Sequence, residues 1–210
     1  MTAGQGAKVD LKRELDAYRA LHGEFRLLEV PPLNALMIDG HGDPNTAPEY
    51  AAALAALYPL AYAVKFASKC ELGRDFVVMP LEGLWWADDH ASFTSRRDKS
   101  QWHWTMMIVQ PDWIDDDFVS AAREAVLAKG TTAGIERVRF ERFNDGLCVQ
   151  TLHLGTYDDE APVLAEMHAN AIVGQGLRLT GKHHEIYLSD PRRTAPERLR
   201  TILRQPVTRD

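Results

Sequence analysis

The sequence lacks several features that would assign it to a common class. Cysteine is scarce, since only Cys70 and Cys148 occur and they form no Cys-x-x-Cys pair. This excludes a disulfide framework or a cysteine zinc site and predicts two buried free thiols. No apolar run approaches the roughly 18 residues of a membrane span, and the first residues lack the apolar stretch of a signal peptide. We therefore expect a cytoplasmic protein without a membrane partner.

The sequence also has fewer basic than acidic residues, and it lacks the common phosphate-binding glycine motifs. The chain has 24 Lys and Arg against 30 Asp and Glu, giving a net charge of -6, and its basic residues are scattered. Nucleic-acid binding needs clustered basic side chains, so no nucleic-acid partner is expected. Neither GxGxxG nor GxxxxGK is present. The adjacent His183 and His184 point to opposite sides of a strand and cannot share a metal ion, so we expect no metal and no cofactor. These features leave the oligomeric state open.

Tryptophan, by contrast, is concentrated in one region. With 210 residues and 45% hydrophobic content the chain can bury a sizeable core. All five tryptophans fall within one short stretch: Trp85, Trp86, Trp102, Trp104 and Trp113. Trp102 and Trp104 share a strand face, which favours a ligand-binding wall, although packing in the core is the alternative.

The order of predicted elements repeats. A strand at 33–40, a helix at 47–68 that begins in the capping box Thr46–Glu49, and strands at 76–86 and 102–109 form one series. A linking helix at 115–129 separates it from a second series, with strands at 138–143 and 147–154, a helix at 162–175, and strands at 182–188 and within 199–207. The segment 88–99 between two strands is predicted to be a mobile loop.

This repeat predicts an α+β fold. Two strand-helix-strand-strand modules, related by a pseudo-twofold axis, would form an antiparallel sheet with helices on one face and a ligand cleft on the other. We expect a single domain over residues 33–207, with halves at about 33–112 and 135–207. Residues 1–32 would be an N-terminal extension with one short helix at about 10–21.

The strand Lys182–Leu188 contains the strongest candidate residue. A two-residue period places His183, Glu185 and Tyr187 on one face, and the other face is predicted to meet the core. Glu185 and Tyr187 therefore face water or a cleft. Glu82 lies on the first strand after the long helix of the other half and is interpreted as the counterpart of Glu185, with Trp86 on its face, although Pro80 and Gly83 leave that orientation open.

Three tyrosines complete the candidate set. Tyr58 and Tyr62 lie one turn apart on the first long helix, and Tyr157 follows Gly155 at a junction between a strand and a helix. Packing with the hydroxyl at the surface is the alternative for each. The predicted ligand-binding residues are Tyr58, Tyr62, Glu82, Trp86, Trp102, Trp104, Tyr157, His183, Glu185 and Tyr187.

Four segments resemble the gyrase-inhibitor-like (GyrI-like) small-molecule-binding family. They are LNALMIDGHGDPN (33–45), VMPLEGLWW (78–86), GTYDDE (155–160) and HHEIYLSDPRRTAPERLRTILRQPV (183–207). The resemblance implies two modules around a pseudo-twofold axis with a cleft, where Glu185 matches a buried glutamate that holds planar, often cationic molecules between aromatic walls. Because the single N-terminal helix cannot make a helix-turn-helix, the chain looks like the stand-alone branch rather than a transcription regulator.

The resemblance leaves two functions open. The first is binding of lipophilic, planar, often cationic molecules, such as drugs or xenobiotics, for sequestration or resistance. The second is hydrolysis of the strained cyclopropane of DNA-alkylating natural products, with Glu185 as general base for water and Tyr157 as donor to the developing oxyanion. Binding is favoured slightly because it needs fewer precisely placed groups.

Overall fold

The computed structural model describes residues 7–89, 98–130 and 133–209. Over this part of the chain an antiparallel sheet carries packed helices, which confirms the predicted α+β class. The strands are β1 (Arg26–Val30), β2 (Leu33–His41), β3 (Glu82–Trp86), β4 (His103–Gln110), β5 (Arg139–Phe143), β6 (Gly146–Leu154), β7 (Leu177–Leu179), β8 (His183–Tyr187) and β9 (Arg200–Arg209). The helices are α1 (Leu11–Glu14), α2 (Pro48–Glu71), α3 (Asp116–Leu127) and α4 (Ala161–Glu166).

The strand order is symmetric about its centre. It runs β1-β6-β9-β8-β3-β4-β2-β5, with β7 added to β9. Outward from the central β3–β8 pair, one half continues with β4 and β2, and the other continues with β9 and β6. Helix α2 lies between β2 and β3 in the chain, and α4 lies between β6 and β8. The strand-helix-strand-strand module therefore occurs twice around a pseudo-twofold axis, as the sequence predicts.

Helix α2 lies on the sheet face that carries Trp85. Pairing across β4, β3 and β8 places Trp104, Trp85 and His183 side by side, and directly paired residues point to the same side of a sheet. Tyr50 of α2 meets the Trp104 ring edge-on, with ring centroids 5.3 Å apart. We call this side the helix face and the opposite side the interior face.

The segment that begins with α4 covers the same face in the other half. Met167, just after α4, packs in one cluster with Leu203 of β9, and Leu203 pairs with Glu185. Each helical segment contacts outer strands of its own half, α2 on β2 and β4 and the α4 segment on β6 and β7. The central strands β3 and β8 are left between them. The cleft consequently opens on the helix face, whereas the sequence analysis placed helices and cleft on opposite faces.

Local details of α2 differ from the sequence predictions. The helix begins at Pro48 after Ala47, and no side chain caps it, so the predicted capping box does not form. Cys70 in its last turn is exposed, so the prediction of two buried thiols is wrong for Cys70 and holds only for Cys148. By length and composition α2 would also suit a membrane span, which the sequence analysis did not expect. Because buried core helices meet the same criterion, this is weak evidence.

The N-terminal residues are part of the same sheet structure. Strand β1, which the sequence analysis placed in an extension, pairs with β6. The predicted helix at 10–21 is reduced to α1 and a 3-10 turn at Asp16–Tyr18. The predicted helix at 162–175 is α4 followed by a π-helical segment, Met167–Ile172, and a 3-10 turn. Within the predicted mobile loop at 88–99, residues 90–97 lie outside the described residues.

Candidate functional site

A cavity of about 1710 Å³ lies on the helix face between α2 and the α4 segment. It exceeds the roughly 300–1,000 Å³ of a typical small-molecule pocket. Eight aromatic side chains contribute to its lining: Tyr50, Tyr58, Tyr62, Trp85, Trp86, Trp102, Tyr157 and Tyr187. A cavity of this size and composition can hold a large, flat, apolar molecule.

Glu185 lies in this cavity at the end of a short hydrogen-bond chain. The hydroxyl of Tyr187 donates to Glu185 Oε2 at 2.8 Å, and the indole Nε1 of Trp85 donates to the Tyr187 oxygen at 3.0 Å. Burial, together with the charge of Glu185, raises the pKa of Tyr187 well above its usual value. The phenol therefore stays protonated, and Tyr187 holds the carboxylate in a fixed orientation.

His183 stands beside the same carboxylate without adding charge. Its Nε2 lies 3.6 Å from Glu185 Oε1. Burial, together with the neighbouring His168 and His184, lowers the pKa of His183 to about 3. A neutral imidazole at this position leaves the cavity floor electronegative at physiological pH.

Tyr157 and a second carboxylate, Glu160, also line the cavity. The Tyr157 ring meets Tyr187 edge-on at 5.4 Å. Burial and the charges of Glu160 and Glu185 raise the pKa of Tyr157 to about 12. Glu160 is only 4% exposed. Glu160 is not among the residues predicted from the sequence to bind a ligand.

The remaining aromatic candidates extend from this centre. Trp102 meets Trp85 edge-on at 5.8 Å. Trp86 lies at the end of β3, where Lys182 Nζ sits 3.2 Å from the centre of its ring. Tyr58 and Tyr62 reach the cavity from α2. Eight of the ten residues predicted from the sequence thus border one cavity, as does Trp85, which the prediction omitted.

Glu82 and Trp104 do not line the cavity. Trp104 is on the helix face but fully buried beneath Tyr50. Glu82 is on the interior face, because it pairs with Ile186 whereas Gly83 pairs with Glu185. Glu82 and Glu185 are therefore not equivalent, and the predicted equivalence is wrong. A difference of one residue in the register is enough to place a strand side chain on the opposite face of the sheet.

Glu82 belongs instead to a buried ionic network on the interior face. Its Oε1 accepts from the Tyr18 hydroxyl at 2.6 Å, and its Oε2 lies 3.0 Å from His184 Nε2. The Nδ1 of His184 lies 2.7 Å from Asp145 Oδ2, which also accepts from Arg204 at 3.1 Å. With His184 protonated, two positive groups balance two carboxylates, which is how buried charge is tolerated.

Metal coordination finds no support in this geometry. Within residues 7–89, 98–130 and 133–209, no three His, Cys, Asp or Glu side chains are placed to hold one ion. The cavity offers aromatic faces, an oriented carboxylate and protonated phenols. These groups suit two kinds of chemistry: stacking and charge pairing with a flat cation, or activation of water by a carboxylate.

Solved structures share this architecture. The chain is 40% identical to an uncharacterized conserved protein from Listeria innocua, with a TM-score of 0.87 over 96% of this chain and all of the other. It is 38% identical to a hydrolase from Listeria innocua, with a TM-score of 0.83 over the same shares. The C-terminal domain of EcmrR, at 13% identity and a TM-score of 0.55, covers 89% of this chain and 98% of that domain and shares the fold alone.

The comparison by sequence assigns the family. No curated protein matches the chain. The family model of the GyrI-like small molecule binding domain matches residues 23–208, which include both modules and the cavity between them. The chain therefore belongs to the GyrI-like small-molecule-binding family.

Proposed function

We propose that the protein binds lipophilic, planar, preferably cationic aromatic molecules in this cavity and thereby sequesters drugs or xenobiotics. The observation that supports this most directly is the chain from Trp85 through Tyr187 to Glu185, which orients a carboxylate within an aromatic cavity. Action in the cytoplasm, without DNA or a membrane as partner, is part of the proposal. It rests on the acidic net charge of -6.

Charge pairing inside an apolar cavity explains the preference for cations. Aromatic rings attract a cation through their electron-rich faces, and the attraction grows when water is displaced. Glu185 adds a full negative charge, and His183 does not oppose it because its imidazole is neutral. A flat monocation therefore gains both stacking and charge pairing, whereas a neutral molecule of the same shape gains only stacking.

The decisive test compares ethidium, a planar monocation, with phenanthridine, its neutral parent ring system. Glu185→Gln preserves shape and removes charge. It should weaken ethidium binding about ten- to a hundredfold, or ~1.5–3 kcal/mol, and phenanthridine binding much less. Binding is measured by quenching of tryptophan fluorescence. Equal loss for the two ligands would contradict the proposal.

A matched control removes one charge outside the cavity. Glu166 is an exposed residue of α4 that does not line the cavity. Glu166→Gln should leave both affinities within twofold of the starting protein, and its melting temperature should match that of Glu185→Gln. If the control lowered ethidium affinity as much as Glu185→Gln, net charge rather than the oriented carboxylate would explain the effect.

Hydrolysis is a second candidate, favoured by the resemblance to a protein described as a hydrolase at 38% identity. Glu185 would take a proton from a water molecule. The oxygen of that water would attack a cyclopropane carbon, and the ring C–C bond would break. Tyr157 would donate to the oxygen of the conjugated carbonyl that receives the electrons. Incubation with a cyclopropane-containing DNA alkylator, followed by mass spectrometry, separates the candidates. A ring-opened product lost in Glu185→Gln supports hydrolysis, and binding without product rejects it.

A further inference from the structure

The acidic run at the start of α4 contains three side chains with different environments. Lys99 donates to Asp158 at 2.9 Å on the surface, and the Thr156 hydroxyl donates to Asp159 at 2.6 Å. Glu160, the third, is buried in the cavity wall. It precedes α4 directly, but its side chain makes no capping hydrogen bond to that helix. Capping of α4 therefore does not explain why the Glu160 carboxylate lies in the cavity wall.

Glu160 and Glu185 share one compartment. Both line the cavity, and their charges act on the same pair of phenols, because each raises the pKa of Tyr157 and that of Tyr187 after the larger effect of burial. Two carboxylates in a space of low polarity repel each other more strongly than they would in water. A ligand with two positive groups would relieve this repulsion, and a monocation would do so only in part.

Three Lys and Arg residues line the cavity, Lys12, Lys99 and Arg192, and the last two have acidic partners. Lys99 pairs with Asp158 at 2.9 Å, and Arg192 pairs with Asp190 at 3.0 Å. These two pairs keep their charges near the surface. The cavity volume of about 1710 Å³ also leaves room for a ligand larger than a single three-ring cation.

We propose that Glu160 is a second anionic contact of the ligand site, and that the cavity therefore selects planar aromatic ligands carrying two separated positive groups. This inference rests on the proposed binding function and specifies its ligand class. Glu185 would meet the charge on the flat ring system, and Glu160 would meet a second cationic group on a side chain of the ligand.

Ethidium and propidium form a matched pair of probes, because both contain the same phenanthridinium and propidium adds a quaternary ammonium on a short chain. The starting protein should bind propidium at least tenfold more tightly than ethidium. Glu160→Gln should weaken propidium binding at least tenfold and ethidium binding less than threefold, which brings the two affinities close together. Asp117→Asn, an exposed change of the same net charge in α3, should preserve the preference for propidium.

The outcomes separate this inference from the function beneath it. If the starting protein binds both dyes equally, or if Glu160→Gln weakens both by the same factor, the second anionic contact is refuted while binding of cations stands. If neither dye binds, the proposed function and this inference both fail. The comparison in the starting protein needs no variant, so it decides the question even if Glu160→Gln does not fold.

Discussion

At the scale of single residues, Trp85 has a role that depends on its indole N–H. Trp85→Phe removes the donor to Tyr187 and keeps an aromatic ring on the cavity floor. A lost neutral hydrogen bond costs about 0.5–1.5 kcal/mol, so ethidium affinity should fall about two- to twelvefold. Because Trp85 acts through Tyr187, the same substitution should have little further effect in a Tyr187→Phe background. Fluorescence titration of the single and double variants measures this coupling, and fully additive losses would show that Trp85 acts independently.

Alternation along β8 predicts which of its residues share the face that borders the cavity, although it leaves open whether that face meets water or a cleft. His183, Glu185 and Tyr187 border the cavity because β8 is regular and its aliphatic neighbour Ile186 is fully buried. The face of Glu82 could not be predicted in this way, because it depends on the register between β3 and β8, which no local sequence pattern indicates. His184 and Arg204 occupy strand positions that face the interior. Ionisable residues at such positions indicate that buried partners of opposite charge lie nearby.

At the scale of elements, β2 and β4 depend on a glycine where they approach each other. A Cβ atom on Gly40 would lie 2.0 Å from the Trp104 ring, which is fully buried and cannot move aside. Gly40→Ala should therefore destabilise the protein by about 1–3 kcal/mol, as measured by urea unfolding.

Two further variants test that explanation for Gly40. Gly174→Ala is the matched control, since its Cβ would meet only a carbonyl oxygen at 3.8 Å, and it should leave stability nearly unchanged. Gly40→Ala combined with Trp104→Phe should lose less stability than the sum of the two single changes, because the smaller ring makes room for the methyl group. Strict additivity would show that the contact with Trp104 is not the cause.

Element order was predictable from periodicity, and helix boundaries were less so. Most predicted strands and α3 lie close to their predicted positions because hydrophobic spacing and an acidic start mark them clearly. The strand predicted at 76–86 is an exception, since β3 begins only at Glu82. The segment after α4 adopts π-helical geometry over Met167–Ile172, for which the sequence has no simple signal. Irregular helical turns are often found at functional sites, and His168 in this one borders the cavity.

At the scale of the whole molecule, the N-terminal segment closes the interior face. The Tyr18 hydroxyl donates to Glu82, and residues 26–30 form an outer strand of the sheet. The repeat of two modules could be predicted from element order, because each module is local in sequence. Contacts between the N-terminal segment and the centre of the sheet could not, since they join residues far apart in the chain.

The two adjacent histidines of β8 should give the folded protein a stability maximum near pH 6.5. Burial alone would lower the pKa of His184, but the charge of Asp145 and the hydrogen bonds to Asp145 and Glu82 outweigh it and raise that pKa. Protonated His184 stabilises the folded protein fully below about pH 6.5, the pKa of an unfolded histidine. This stabilisation is lost as the pH rises through the pKa of His184 in the folded protein. His183, with its pKa lowered to about 3, acts oppositely, because unfolding below about pH 6.5 lets it take up a proton.

Each histidine should change the free energy of unfolding by at most ~1.4 kcal/mol per pH unit within its range. Urea unfolding from pH 4 to pH 9 measures the profile and stays below the range in which tyrosines ionise. His184→Gln should flatten the alkaline side and keep the acid side. If that variant does not fold, NMR of the histidine ring nitrogens in the unaltered protein decides the point. Since Glu82 and Asp145 accept from both nitrogens, His184 should be mostly doubly protonated at pH 6.5, where an ordinary histidine is half protonated. A mostly neutral ring at that pH would contradict the charge-balanced network.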